Sequence, residues 1–123
     1  RKNVMTYIDG FIIPVKAGKR AEYEALAKFA APIFIEHGAL QVVENWGDDV
    51  PKGKHTDFFM AVKAEGEENV VFSWMIWPSK EVRDAGSASA MADPRFKDKD
   101  FSSVVDGKRM IFGGFTPILD MKG

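Results

Sequence analysis

The sequence predicts an α+β fold in which four strands and two helices follow one another in the order βαββαβ. Four segments are rich in β-branched and aromatic residues, as strands are. Two further segments repeat apolar residues with the period of a helix. The 123 residues fit one domain, since domains hold about 150 residues. We therefore expect residues 1–123 to form a single ferredoxin-like domain with a four-stranded antiparallel sheet.

The composition excludes several classes of protein. Lys and Arg number 17 and Asp and Glu 18, a net charge of −1, so the chain has no excess of cations to neutralise a nucleic acid. The absence of Cys excludes disulfides and thiolate chemistry and fits a reducing cytoplasm. The longest uncharged apolar run, 70–78, is shorter than the about 20 residues of a membrane span. We expect a cytoplasmic protein without a nucleic-acid or membrane partner.

The first strand is predicted over Val4 to Val15, with Pro14 closing it. Residues 1–4 are interpreted as an extension, and we assign them no function. After Gly18 the apolar period becomes helical, and the apolar side of this helix holds Tyr23, Leu26, Ala27, Ala30, Ile33 and Phe34. His37 and Gly38 suit the end of that helix.

Three features of the next segments carry specific expectations. Pro32 predicts a kink or a split in the first helix, because its ring removes a backbone hydrogen bond and clashes with the preceding turn. A second strand is predicted over Ala39 to Trp46, before a cluster of turn-forming residues at 47–53. Segment 57–64 fits either a short helix capped by Thr56 or Asp57 or an extra strand, and we favour the helix.

The C-terminal half repeats the strand–helix–strand order. Val70 to Trp77 is the clearest strand, and a helix capped by Ser79 is predicted to run to 93–94, although Gly86 weakens it. Phe96 to Val105 has no regular period and is predicted to be a loop. The last strand is predicted over Arg109 to Ile118, beside the first strand in the sheet order fourth, first, third, second.

Both faces of the predicted sheet are apolar. In the third strand the two sides hold Val70, Phe72, Trp74 and Ile76, and Val71, Ser73, Met75 and Trp77. Two helices cover only one face, and an antiparallel sheet that meets water alternates apolar with polar residues. We therefore expect a second copy of the chain to cover the other face in a homodimer. The alternative is that segments 94–108 and 57–64 fold across it within one chain.

Several strings of the sequence carry a family resemblance. They are 7–11 (YIDGF), 46–51 (WGDDVP), 71–74 (VFSW), 77–80 (WPSK), 83–86 (RDAG), 91–95 (MADPR) and 106–111 (DGKRMI). Together they make the chain resemble the YbaA-like family of small bacterial proteins, a domain family of unknown function. The resemblance implies a ferredoxin-like fold of the dimeric α/β-barrel type. It supplies no catalytic residues.

Asp9 is the first candidate for a functional residue, because a carboxylate between apolar neighbours in a strand is costly unless it is paired. The expected sheet order places Arg109 nearby as its partner. Gly10, Gly113 and Gly114 would leave room over the same two strands for a ligand. The alternative interpretation is a structural ion pair, with glycines that relieve crowding.

Glu44 and Trp46 share one side of the second strand, and Trp74 lies on the neighbouring strand. Apolar walls with a few polar groups are typical of small-molecule sites. Aromatic residues in strands are also common in cores and dimer interfaces. The chain holds 2 histidines, and no spacing matches a metal or nucleotide motif, so we expect no metal and no cofactor.

The sequence thus predicts a homodimer that binds a small, mostly apolar molecule between sheet and helices. An enzyme of this kind would resemble a cofactor-independent oxygenase or isomerase, with Asp9 or Glu44 as the base. Trp46, Trp74, Arg109 and Gly113 would border the ligand. The alternative is a non-catalytic binding or interaction module in which the aromatic sheet face is only the dimer interface.

Overall fold

The structure, a computed structural model, describes residues 6–123. In chain order its elements are β1 (Tyr7–Val15), α1 (Arg20–Glu36), β2 (Gln41–Trp46), α2 (Phe58–Ala61), β3 (Asn69–Trp77), α3 (Lys80–Met91), a 3₁₀ turn (Pro94–Phe96) and β4 (Ile111–Phe115). The strands form one antiparallel sheet in the order β2-β3-β1-β4. This order confirms the predicted α+β, ferredoxin-like fold.

The prediction that Pro32 splits the first helix is wrong, because α1 runs unbroken through it. Pro32 frees the carbonyl of Lys28, and both residues lie on the exposed side of the helix. Water can therefore donate a hydrogen bond to the Lys28 carbonyl in place of the missing Pro32 N–H. The C-terminal end of α1 is as expected, with His37 as the cap and Gly38 at a positive φ of 118°.

The ambiguous segment 57–64 forms a helix, as favoured. Asp57 caps α2, since its Oδ1 accepts a hydrogen bond from the Met60 N–H at 2.6 Å. Ser79 caps α3 in the same way, accepting from Val82 N–H at 3.1 Å. The structure bears out both capping predictions.

Some strand ends differ from those predicted. The first strand ends at Val15, as predicted, and Pro14 lies beyond Ile12, the last β1 residue that pairs with β4. Val4, where the strand was predicted to begin, lies outside the described residues. The last strand spans only Ile111–Phe115. It is shorter than predicted because Arg109 instead joins a turn and pairs with Glu68.

One face of the sheet packs against α1 and α3 and holds the core. The buried residues of this core cluster are Ile13, Val15, Tyr23, Val71 and Val104. At the other end of the same face Trp77 is fully buried beneath Gly86 of α3. A Cβ at Gly86 would collide with the Trp77 ring and the His37 carbonyl. Gly86 therefore permits the close approach of α3 to the sheet.

The opposite face, which we call the open face, is apolar and largely uncovered in the single chain. Strand register places on it Ile8, Ile12, Val43, Phe72, Trp74, Ile76, Ile111 and Phe115. Phe72 is 47% and Phe115 59% exposed. Segment 57–64 covers one end of this face, where the Phe58 and Phe72 ring centroids lie 6.0 Å apart.

The alternative in which segment 94–108 crosses the open face within one chain is wrong. Val104 from that segment is buried in the core cluster on the helix-covered face, and Val105 forms a bridge with Val15. The segment therefore lies along the helix side of the domain. Within residues 6–123, α2 alone among the helices packs on the open face, and only at one end.

Candidate functional site

Asp9 is held by two donors on the helix-covered face. Its Oδ1 accepts a hydrogen bond from Arg83 Nε at 3.1 Å, and its Oδ2 accepts one from Trp77 Nε1 at 2.9 Å. The predicted pairing with Arg109 is wrong. The cation comes from α3, which lies over β1 in space, so a pairing argument limited to neighbouring strands missed it.

The glycines that were expected to leave room for a ligand are packed against protein. At Gly10 and Gly113, on the open face, the Phe115 ring lies 3.5 Å from the Cβ position. At Gly114, on the helix-covered face, Tyr7 and Arg83 occupy that position. These glycines thus admit neighbouring side chains of the same chain.

Glu44 lies on the helix-covered face beneath α1, where its Oε1 accepts a hydrogen bond of 2.5 Å from the Tyr23 hydroxyl. Burial raises the pKa of Glu44, and the hydrogen bond from Tyr23 offsets part of that rise. Burial, followed by the nearby Glu44 carboxylate, raises the pKa of Tyr23 far above its usual range. Tyr23 thus remains a hydrogen-bond donor, and Glu44 is a stronger base than an ordinary carboxylate.

A cavity of about 1030 Å³ lies between α1 and the segment that precedes β4. Its apolar walls include Ile13, Leu26, Ala27, Ala30, Val105 and Met110, and Tyr23 and Glu44 also border it. We call it the first cavity. Its volume is at the upper end of the range of about 300–1,000 Å³ that small-molecule sites occupy.

Arg109 borders the first cavity and closes one side of it. Its guanidinium donates to both Glu68 carboxylate oxygens, at 2.7 and 2.8 Å, and to Asp106 at 2.9 Å. It also donates to the Lys63 carbonyl at 2.8 Å. These bonds tie the segment before β4 to the loop before β3. Arg109 therefore positions a wall of the cavity, in addition to any contact with a ligand.

A second cavity, of about 640 Å³, lies on the other side of α1 at the β2 edge of the sheet. Trp46 borders it, and the Arg20 guanidinium lies 5.3 Å from the centroid of the Trp46 ring. Tyr23 and Glu44 border this second cavity as well as the first. The structure thus brings Glu44, Trp46 and Arg109 to the space around α1.

The other predicted site residues lie elsewhere. Trp74 and Gly113 face the open side of the sheet, and neither borders the first or second cavity. Asp9 shares a face with Glu44 but also borders neither cavity. The candidate site is therefore built around Glu44.

Sequence reasoning missed Tyr23 as a functional residue because it fits the apolar stripe of α1. Its hydroxyl was the available signal, since a buried Tyr usually needs a hydrogen-bond partner. Which strand residue supplies that partner depends on how α1 is placed over the sheet.

In the part of the chain that the structure describes, no three His, Asp or Glu residues are grouped as metal ligands. No helix among those residues is long and apolar enough to cross a membrane.

Residues 6–107 match the sequence profile of a family described as "Protein of unknown function (DUF1428)". The chain is also similar to "Uncharacterized protein YbaA" of Escherichia coli strain K12. The two are 57% identical over 116 residues, which cover 94% of this chain and 99% of that protein.

Two solved structures share the fold. One is an uncharacterized NIPSNAP-like domain protein from Burkholderia xenovorans, with a TM-score of 0.64, 12% identity, and coverage of 98% of this chain and 92% of that one. The other is a dimeric ferredoxin-like protein from an uncultured marine organism, with a TM-score of 0.58, 11% identity, and coverage of 97% and 99%. At these identities the likeness concerns the fold alone.

Proposed function

Because this chain belongs to the DUF1428 family of proteins of unknown function, we propose its function from the candidate site. The chain binds a small, mainly apolar molecule between α1 and the sheet. Glu44 then takes a proton from a weakly acidic group of that molecule. The observation that carries this proposal is that the Glu44 carboxyl group, whose pKa is raised, accepts a hydrogen bond from the buried Tyr23 and borders two cavities.

The roles of the two polar side chains follow from their chemistry. Tyr23 donates to Glu44 Oε1 and so orients the carboxylate. Within residues 6–123, Glu44 Oε2 has no hydrogen-bond partner, which leaves it free to accept a proton. A raised pKa makes this transfer more favourable near neutral pH. Proton removal from carbon or oxygen is a step that a cofactor-independent oxygenase and an isomerase share.

Glu44 is a better candidate for the base than Asp9. Both Asp9 oxygens accept hydrogen bonds, one of them from the Arg83 guanidinium. Neither Asp9 oxygen is left without a hydrogen-bond donor, and Asp9 borders neither cavity. Asp9 therefore suits the structural role that was the alternative interpretation of this residue.

A ketone with an acidic C–H bond tests the proposal directly. The probe is 2-tetralone, whose apolar bicyclic body fits apolar walls and whose α-protons exchange with D₂O. We expect the protein to accelerate this exchange above the background rate, as followed by ¹H NMR. The Glu44→Gln variant keeps the shape and a hydrogen bond to Tyr23 but loses the base, so its acceleration should fall by about 10²- to 10⁴-fold.

Glu22→Gln is the matched control, since Glu22 lies on α1 but is exposed and borders neither cavity. It should leave the exchange rate unchanged. Equal acceleration by the wild type and Glu44→Gln would refute the proposal. Absence of acceleration by the wild type at millimolar 2-tetralone would instead favour the alternative, a non-catalytic interaction module.

We also propose that the protein is a cytoplasmic homodimer in which two open faces pack together. The open-face residues of the four strands include no charged side chain, so two copies can meet without like-charge repulsion. Large exposed apolar patches are typical of protein interfaces. A dimeric protein with the same fold adds support, and the lack of Cys fits the cytoplasm.

Light scattering during size-exclusion chromatography tests the dimer. The wild type should elute as a dimer at micromolar concentration, and Phe72→Glu should elute as a monomer, because it would bury an unpaired charge at the interface. Met91→Glu is the control, since Met91 is 64% exposed at the end of α3, away from the open face. A monomeric wild type would refute this part of the proposal.

A further inference from the structure

The first and second cavities share part of their lining beneath α1. Three residues, Tyr23, Ala27 and Glu44, border both of them. The Tyr23–Glu44 hydrogen bond therefore lies between the two cavities, and Glu44 borders both of them.

Small side chains of α1 keep the two spaces open. Ala30 borders only the first cavity and Ala31 only the second. Each is a single methyl group at a position where larger residues of an amphipathic helix would fill the gap. The helix thus stands over the sheet with room on both sides of the contact that Tyr23 makes.

The charged residues that border the cavities are mostly engaged with one another. In the first cavity Arg109 is bonded to Glu68 and Asp106. In the second, Arg20 is bonded to Glu24 at 3.1 Å. Glu44 borders both cavities and, within residues 6–123, its Oε2 has no hydrogen-bond partner, while the walls on either side of it are mainly apolar.

We propose that the ligand of this site is a two-armed molecule with its acidic C–H or O–H group at the centre. One apolar arm lies in the first cavity, the other lies in the second, and the acidic group lies beside Glu44. This inference rests on the proposed function, because it assumes that Glu44 is the proton acceptor. Beyond that function, it specifies the shape of the substrate and the position of its polar group.

A series of 1-alkyl-2-tetralones tests the inference, since the alkyl chain branches from the acidic carbon. The dissociation constant is measured by titration calorimetry for 2-tetralone and its 1-methyl, 1-propyl and 1-pentyl derivatives. Burial of each added methylene should tighten binding by about three- to fourfold. The bicyclic ring then occupies the larger first cavity and the chain the second.

Two variants distinguish the contributions of the two arms to binding affinity. Ala31→Leu narrows the second cavity. It should abolish the increase in affinity with alkyl-chain length, while the affinity for 2-tetralone itself stays within twofold of wild type. Ala30→Leu narrows the first cavity and should weaken every member of the series. Leu is a good helix former, so both variants should keep the helix; circular dichroism checks this, and Ala31→Met replaces Ala31→Leu if the latter misfolds.

The two proposals fail in different ways. If 2-tetralone binds and exchanges but affinity does not rise with chain length, the two-armed ligand is refuted and the proposed function stands. The two-armed ligand is also refuted if affinity still rises with alkyl-chain length in Ala31→Leu. If Glu44→Gln leaves the exchange rate of 2-tetralone unchanged, the proposed function fails, and this inference fails with it.

Discussion

Asp9 and Glu44 are both carboxylates in strands, on the same face of the same sheet, yet their surroundings differ. Asp9 is bound by Arg83 and Trp77 beneath a closely packed α3. Glu44 has a neutral donor, Tyr23, beneath an α1 that leaves cavities on both sides. The helix that covers a strand carboxylate thus determines whether that carboxylate is paired with a cation, as Asp9 is, or borders open space, as Glu44 does.

We expect the largest changes in the free energy of unfolding from variants that test the packing at the two ends of this face. Trp77→Ala should lower the free energy of unfolding by about 3–5 kcal/mol, because Trp77 is fully buried and donates to Asp9. Trp46→Ala should cost less, about 1 kcal/mol, because Trp46 is only partly buried beside the second cavity. Urea unfolding measures both. Equal losses would mean that the α1 end is as tightly packed as the α3 end.

The two amide variants should differ in their effect on the free energy of unfolding. Asp9→Asn should destabilise by about 1–3 kcal/mol at neutral pH, because it removes the carboxylate that pairs with Arg83 Nε and leaves the more exposed Asp84 as the remaining anion beside that guanidinium. Glu44→Gln should be neutral or stabilising, because ionised Glu44 bears a desolvation cost that the amide avoids. Thermal and urea unfolding at one pH provide the comparison. A destabilised Glu44→Gln would contradict the role assigned to burial.

Tyr23→Phe should have a smaller effect on stability, about 1 kcal/mol, through loss of one hydrogen bond. Its sharper effect is on Glu44. Since the Tyr23 hydroxyl lowers the pKa of Glu44, its removal should raise that pKa further above the ordinary value. A ¹³C NMR titration of the Glu44 carboxyl carbon measures the shift. A lowered pKa in the variant would contradict the arrangement described.

The smallest expected effect is the pH dependence of stability that Glu44 causes. Its pKa is raised in the folded state, so the folded chain holds this proton more tightly than the unfolded chain. The associated stability is fully present below the ordinary Glu pKa and is lost as pH rises through the raised folded pKa. The difference in unfolding free energy between wild type and Glu44→Gln should therefore depend on pH in that window. An identical pH profile for the two proteins would refute the raised pKa.

Much of the fold was predictable because its signals are local. The period of α1, the capping residues Asp57 and Ser79, and the strand Asn69–Trp77 all follow from nearby sequence. The continuity of α1 through Pro32 was not predictable from the helix alone. It depends on the freed carbonyl facing solvent, which follows from the placement of the helix on the sheet.

The site was predictable in part. Glu44 and Trp46 were candidates from strand alternation alone, and the structure places both beside cavities under α1. The partner of Asp9 was wrongly predicted as Arg109, because the prediction considered neighbouring strands and the actual partner lies on α3. Residues far apart in sequence meet here through helix packing, for which strand register carries no information.

Two properties follow from the sequence alone: the order of the elements and the apolar character of both sheet faces. These properties depend on periodicity and local propensity, which act over a few residues. The tertiary structure alone decided that Arg83 neutralises Asp9, that Tyr23 meets Glu44, and that space remains around α1. The physical reason is that desolvation and cavity volume depend on which atoms fill three-dimensional space, and the separation of residues along the chain does not specify this.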